Sequence, residues 1–295
     1  MSLPIMKSLG VALFAGMVFA RAGAANAFEI TQGIPNTNQT ACVDVQGDQT
    51  VSGTPLDAYP CKGSFNEQWS NVASQLQGLG SDASGSNCAD ASGGLLILDA
   101  CGSPPPYTWY FRPTGEILNL SEAKCLDSQS QYGAGAQIAL TTCEDGEEYS
   151  QTWVVKDIVF EQAMPGTDEH ACVDVQDLAI KNDTSVNAYP CTFGINERWT
   201  YNAGQLHGIG TSNSNTTCLG AKKKKGVLLV VLQTCDSSNV NQDWWMIQGE
   251  DSSGDYGVLI EGPNGCLDSQ GYYGNVQLVI NPSCSGNTSE LWAMR

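Results

Sequence analysis

The stretch ACVDVQGDQTVSGTPLDAYPCKGSFNEQW, residues 41–69, decides the fold, because much of it occurs twice. ACVDVQ at 41–46 returns at 171–176, AYPC at 58–61 returns at 188–191, and QLQGLG at 75–80 returns as QLHGIG at 205–210. The offset is 130 residues as far as Cys88/Cys218, then grows to 134 at Cys101/Cys235 and 141 at Cys125/Cys266, so the second half carries small insertions. Each half has the size of an ordinary domain. The boundary is expected near Asp157, giving domains at 28–157 and 158–295, with the apolar run VVKDIVF leaving little room for a linker.

Inside each half a shorter unit appears three times: Cys-x-Asp, a Gly/Ser/Asp-rich loop, an apolar run ending in a second Cys, then a few polar residues and a Trp. The first half has Cys42/Cys61/Trp69, Cys88/Cys101/Trp109 and Cys125/Cys143/Trp153; the second has Cys172/Cys191/Trp199, Cys218/Cys235/Trp244 and Cys266/Cys284/Trp292. These six units use all 12 cysteines and six of the 7 tryptophans, leaving Trp245 to packing. The runs LLILDAC (95–101), VLLVVLQTC (227–235) and NVQLVI (275–280) read as short strands, and no stretch holds a helical period. A unit of a few short strands cannot bury its own apolar face, so three are expected to pack around a common axis. Each Trp would bury ~200 Å² there. One disulfide per unit is the simplest account of the recurring spacing, with cross-unit pairing the alternative; each closed loop is worth ~3 kcal/mol.

The ends and the charge bound the setting. Lys7 and the apolar stretch Leu9 to Ala20 read as a signal peptide over 1–27, too short to span a bilayer, with Ala25-Asn26-Ala27 as cleavage site and Ala20-Arg21-Ala22 competing. The expected protein is secreted and extracellular, which suits paired cysteines. Loss of Lys7 and Arg21 leaves 11 basic residues against 31 acidic ones, a net charge of −20. That charge argues against nucleic acid and anionic membranes as partners, and no later segment is apolar enough to insert. Lys222 to Lys225 form the one basic spot, read as a solvated hairpin tip. Without C-x-x-C, and with only His170 and His207, no metal site or cofactor is expected. Five N-x-[ST] sequons, at Asn38, Asn119, Asn182, Asn215 and Asn287, mark candidate glycosylation sites.

The units end in Glu67-Gln68-Trp69, Gln151-Thr152-Trp153, Glu197-Arg198-Trp199, Gln242-Asp243-Trp244 and Glu290-Leu291-Trp292, and only Tyr107-Thr108-Trp109 lacks the polar member. With Cys-x-Asp and the second Cys, this pattern resembles the ricin B-chain lectin family across the mature chain. The resemblance implies an all-β fold of two tandem β-trefoils and a non-enzymatic binder of galactose-type or related glycans. In such a site a loop carboxylate accepts from vicinal hydroxyls, an amide completes the polar set, and a ring two residues before the second Cys stacks on the sugar.

Carried over residue by residue, the first unit of each half is complete: Asp44, Asp57, Tyr59, Asn66 and Glu67, then Asp174, Asn187, Tyr189, Asn196 and Glu197. The second units look inactive, with Pro106-Tyr107 in one and Gly220 replacing the acid in the other. The third units keep Asp127, with Gln151, and Asp268, but have Thr141 and Pro282 where the ring belongs; Tyr132, or Tyr272 and Tyr273, are the loop rings available to them. Glu67 and Glu197 stand where the family has Gln. If Asp44 and Glu67 touch, a shared proton or cation is expected, with binding strengthened at mildly acidic pH or by calcium; Glu67 and Glu197 paired elsewhere is the plainer reading. The disulfides expected are Cys42–Cys61, Cys88–Cys101, Cys125–Cys143, Cys172–Cys191, Cys218–Cys235 and Cys266–Cys284. A trefoil that has lost sugar binding and serves as an interaction protein or protease inhibitor is the alternative function.

Overall fold

The computed structural model describes residues 27–49, 51–72, 75–78, 87–102, 108–146, 148–164, 166–208, 216–254 and 256–295. Residues 1–26 of the leader expected over 1–27, together with Pro106-Tyr107 and Asn215, lie outside the described residues. Everything described is short strand, turn or single-turn 3₁₀ helix, and every strand pairing is antiparallel.

The Trp strands build the barrels. Gln68–Val72 pairs with Gln75–Gly78, placing Trp69 opposite Gly78, and Trp109–Phe111 pairs with Ile117–Asn119. The third such strand, Val154–Ile158, returns to Phe28–Gly33, with Ile30 opposite Val155. The second half repeats the circuit and closes through Phe160 opposite Met294. All six motif tryptophans are at most 2% exposed. At ~200 Å² each and ~25 cal/mol per Å², every repeat contributes about 5 kcal/mol of apolar burial through this one side chain. The facing glycine is required by that packing: a Cβ on Gly208 would lie 2.7 Å from the Trp199 ring.

Between barrel strands each repeat sends out a disulfide-closed hairpin. In the first half these are Thr40–Val45 with Thr54–Pro60, Asn87–Ser92 with Leu95–Ala100, and Lys124–Asp127 with Ala139–Thr141. They cap the barrel by pairing in a ring, through Thr54 with Leu98, Leu95 with Ala139, and Asp57 with Gln137. The six bridges are intra-repeat, joining the six pairs named above. The run at 275–280 is not one strand but two, Val276–Gln277 and Val279–Asn281. Leu278 breaks it, because its N–H bonds Val186 while its carbonyl accepts from Val230, tying two other hairpins together.

The halves are joined by strands as well. Val155 pairs with Tyr201 and Met294 with Asn71, each residue standing two places beyond a motif Trp; Met246 pairs with Phe111 at the same position in the two second repeats. The contact is therefore pseudo-twofold, with the Met246–Phe111 pair on its axis. Tyr201, 1% exposed, donates from its hydroxyl toward the carbonyls of Arg112 and Trp244, at 2.7 and 2.9 Å.

Candidate functional site

The core places the acids. In five repeats the motif Trp indole donates to the carbonyl of the middle residue of the Cys-x-Asp motif or its Gly220 variant: Trp69 to Val43, Trp153 to Leu126, Trp199 to Val173, Trp244 to Leu219 and Trp292 to Leu267, at 2.9–3.3 Å. The next residue along is the acid, or Gly220, so its backbone is held by a fully buried anchor. Trp109 alone has a buried N–H without a partner, in the repeat whose [Q/E]-x-Trp motif is lost.

In the first repeat, the 3₁₀ turn Phe65–Glu67 brings Asn66 back onto the acid. Asn66 Nδ2 donates to Asp44 Oδ2 at 2.7 Å and to the Val45 carbonyl at 3.2 Å, while Asn66 Oδ1 is buried without a partner. The second half reproduces this: Asn196, in the turn Ile195–Glu197, donates from Nδ2 to Asp174 Oδ2. Tyr59 and Tyr189 stand opposite Cys42 and Cys172 on the outgoing hairpin strands. The two rings differ in access. Tyr189 is 41% exposed, whereas Lys62 Nζ lies 4.5 Å from the Tyr59 centroid and covers that ring. Thr192 stands at the corresponding place in the second half.

Four other residues assigned to sugar contact sit elsewhere. Glu67 is fully buried, and its carboxylate accepts the N–H groups of Lys62, Gly63 and Ser64 at 2.7–3.1 Å. Glu197 is equally buried and accepts from Thr192 N–H and Oγ1 and from Phe193 N–H. Both close the loop after the second Cys. A glutamate suits that task better than glutamine, since every partner is a donor. Asp57 and Asn187 are 1% and 2% exposed and turn toward the third-repeat loops, Asp57 accepting from Gly135 N–H at 2.9 Å and Asn187 donating to Asn275 Oδ1 at 2.7 Å. The sequence showed these positions to be polar, but not that they point inward.

Charge crowding survives without Asp44–Glu67 contact. Burial first, then the charges of Glu67, Asp57 and Asp48, push Asp44 up to about 7, with Lys62 opposing. Burial, then Glu197 and Asp177, push Asp174 to about 7. Each carboxyl is thus raised into the neutral range and loses its charge there. The shared proton or cation was expected from direct Asp44–Glu67 contact, whereas both Glu67 oxygens accept loop N–H groups.

The third repeats differ. Asp127 accepts from Gln129 N–H at 2.6 Å, Thr141 Oγ1 at 2.7 Å and Gln151 Nε2 at 3.4 Å. Although burial works the other way, these donors and Ser150 hold its carboxyl below the usual range. Thr141 thus satisfies the acid instead of offering a ring. Gln151 also serves its own loop, accepting from Glu144 N–H at 3.0 Å. Asp268 accepts from Gln270 N–H at 2.5 Å. Tyr132 and Tyr273 supply no ring here: both pack against the core, with hydroxyls donating to Gln32 and Gln162 at 3.1 and 3.2 Å. Tyr272 is 63% exposed.

In the second repeat of the second half, a Cβ at Gly220 would overlap Gln233 Oε1, which has moved into the missing acid's space. There it accepts from Gln242 Nε2 at 3.3 Å and Asn239 Nδ2 at 3.4 Å, beside a polar cleft of about 480 Å³. Of the sequons, Asn38, Asn182 and Asn287 are exposed, but Asn119 is fully buried, with Oδ1 accepting from Glu122 N–H at 3.0 Å. A glycan has no room there, so Asn119 is withdrawn as an acceptor.

The ricin-type beta-trefoil lectin domain family matches residues 31–153, 113–244 and 162–292. The matches end at or next to Trp153, Trp244 and Trp292, and the middle one is displaced by two repeats, as equivalent units allow. No curated protein matches the chain. Among solved structures, a non-toxic homologue of type II RIPs from Momordica charantia (bitter gourd), in complex with alpha-methyl-D-galactoside, is 17% identical at TM-score 0.36, over 91% of this chain and 97% of that one. The agglutinin from Abrus precatorius is 17% identical at TM-score 0.34, over 91% and 96%. The hemolytic lectin CEL-III is 19% identical at TM-score 0.33, over 91% of this chain and 64% of its own.

Proposed function

The chain belongs to the ricin-type β-trefoil lectin domain family, whose domains bind carbohydrate, and on that premise we propose a secreted, non-enzymatic lectin that uses the first repeat of each half. The observation that carries this reading is the Asp–Asn–Tyr set, Asp44/Asn66/Tyr59 and Asp174/Asn196/Tyr189. In both halves the amide donates to Oδ2 of the acid and so holds the carboxylate on the hairpin that carries the ring, the polar-plus-aromatic set a sugar requires. The ligand is a galactose-type or related glycan. The domains are taken as 28–157 and 158–295, and six disulfides support an oxidising compartment.

One shallow site is worth about 4 kcal/mol, near millimolar affinity. Two on one chain gain avidity wherever a glycan surface engages both. A glycan array tests the proposal. Hits lost in the Asp44→Ala/Asp174→Ala double variant support it, while an array without hits favours a trefoil that contacts protein partners.

A further inference from the structure

The second-repeat hairpin of the second half is longer than its counterpart. Its strands Thr217–Lys224 and Val227–Thr234 have 8 residues each, against 6 in each of Asn87–Ser92 and Leu95–Ala100. At ~3.4 Å per residue, the tip is carried about 7 Å further out. Lys222 opposite Leu229 matches Ser92 opposite Leu95, and the two added rungs pair Lys223 with Leu228 and Lys224 with Val227. Lys225 and Gly226 make the turn with φ of 52° and 88°, the two left-handed residues of a tight hairpin turn. Gly93 and Gly94 fill the same turn in the first half, φ 69° and 83°. A lysine thus occupies a left-handed position that glycine takes without strain.

All four lysines are exposed. Lys222 Nζ pairs with Asp183 Oδ2 at 2.5 Å, and among the described residues no carboxylate forms an ion pair with Lys223, Lys224 or Lys225. On a chain of net charge −18, three cations without an ion-pair partner among the described residues sit on one projecting hairpin. Such a tip attracts an anion that can reach it without approaching the acidic body.

We propose that the Lys222–Lys225 hairpin is a docking site for a polyanionic glycan, a sulfated or carboxylated polysaccharide. A slender chain can lie along the projecting lysines and meet little of the acidic body beyond Asp183, the partner of Lys222. A planar anionic bilayer or a duplex is broad and brings its charge against the acidic surface. This site is independent of the first-repeat acids, and its ligand is recognised by charge instead of ring stacking.

The test measures the full chain on immobilised dextran sulfate, with uncharged dextran as control. Binding should fall roughly tenfold between 50 and 200 mM salt, as expected for release of about two counterions. Lys223→Gln/Lys224→Gln/Lys225→Gln should weaken it at least about tenfold, since each lost charge contact removes part of that release. Asp44→Asn/Asp174→Asn should leave it unchanged, which separates this site from the sugar sites. Independently of any variant, dextran sulfate should protect Lys223, Lys224 and Lys225 from acetylation, read by mass spectrometry. Absence of dextran sulfate binding, full binding by the triple variant, unprotected lysines, or equal affinity for phosphatidylserine-containing vesicles or duplex DNA would overturn the proposal.

Discussion

Asn66 Nδ2 donates to Asp44 Oδ2 at 2.7 Å across 22 residues of chain. The two ends of that bond are held by one tryptophan. Trp69 follows Asn66 by three residues and donates from its indole to Val43, next to Asp44, at 2.9 Å. The core anchor and the site are thereby one device, so a repeat that weakens its Trp motif loses the site with it, as around Trp109.

The acids carry a stability cost that substitution should reveal. Burial raises Asp44 and Asp174 to about 7. In the unfolded chain they ionise near 4. The penalty is absent below about 4, grows as pH rises toward 7, and stays constant above. Asp44→Asn and Asp174→Asn should therefore raise the melting temperature at pH 8 relative to the parent, with little change at pH 4. The same variants should weaken sugar binding at least about tenfold, since a charged acceptor is worth roughly 1.5 kcal/mol or more. Parallel thermal melts and glycan titrations check both, and a variant that loses binding without gaining stability would contradict the burial argument.

Sugar affinity should depend on pH with a definite sign. Ionised Asp44 and Asp174 accept hydroxyls, and each loses its charge as pH falls through about 7. Binding should weaken from pH 8 to pH 6 and should release protons when the glycan is bound near neutrality. Calorimetry in buffers of different ionisation enthalpy reads that proton directly.

Glu67 should act on the site through charge and through its loop, and two substitutions separate these. Glu67→Ala strands three loop N–H groups and should cost roughly 3 kcal/mol or more in denaturant unfolding. Glu67→Gln keeps an acceptor while removing the negative charge that raises Asp44. Its first-repeat binding midpoint should move down by roughly one pH unit. A midpoint that stays in place would mean that the Glu67 charge does not raise Asp44.

Lys62 makes the two sites unequal. It lies over the Tyr59 ring, the surface a sugar would stack on, while Tyr189 has no such cover. An exposed cation–π contact is worth ~0.5–1 kcal/mol, so Lys62→Thr should tighten first-repeat binding about two- to fivefold. The measurement belongs at pH 8.5, because Lys62 also lowers Asp44 and its loss would otherwise favour the protonated acid. An Asp174→Asn background isolates the first-half site.

The sequence by itself determined the repeats, the place of two cysteines and one tryptophan in each, and the pairing of Asp, Tyr and Asn in two units, while cross-unit disulfides stayed open until the structure showed six intra-repeat bridges. Those features depend on spacing and residue type within one repeat, which a linear pattern records. Only the tertiary structure decided which way polar side chains face. Glu67 and Asp57 look like Asp44 in the sequence, yet one closes a loop and the other meets Gly135, 78 residues away, because three hairpins converge on the cap. Tyr132 and Tyr273 looked free for sugar but are partly buried, packed against the core with their hydroxyls bonded to Gln32 and Gln162, and Asn119 proved buried. The pseudo-twofold contact through Met246 and Phe111 was likewise invisible, since strands on different barrels meet there with no local pattern to announce it. Direction and long-range contact arise from packing, and packing exists only once the repeats close on one another.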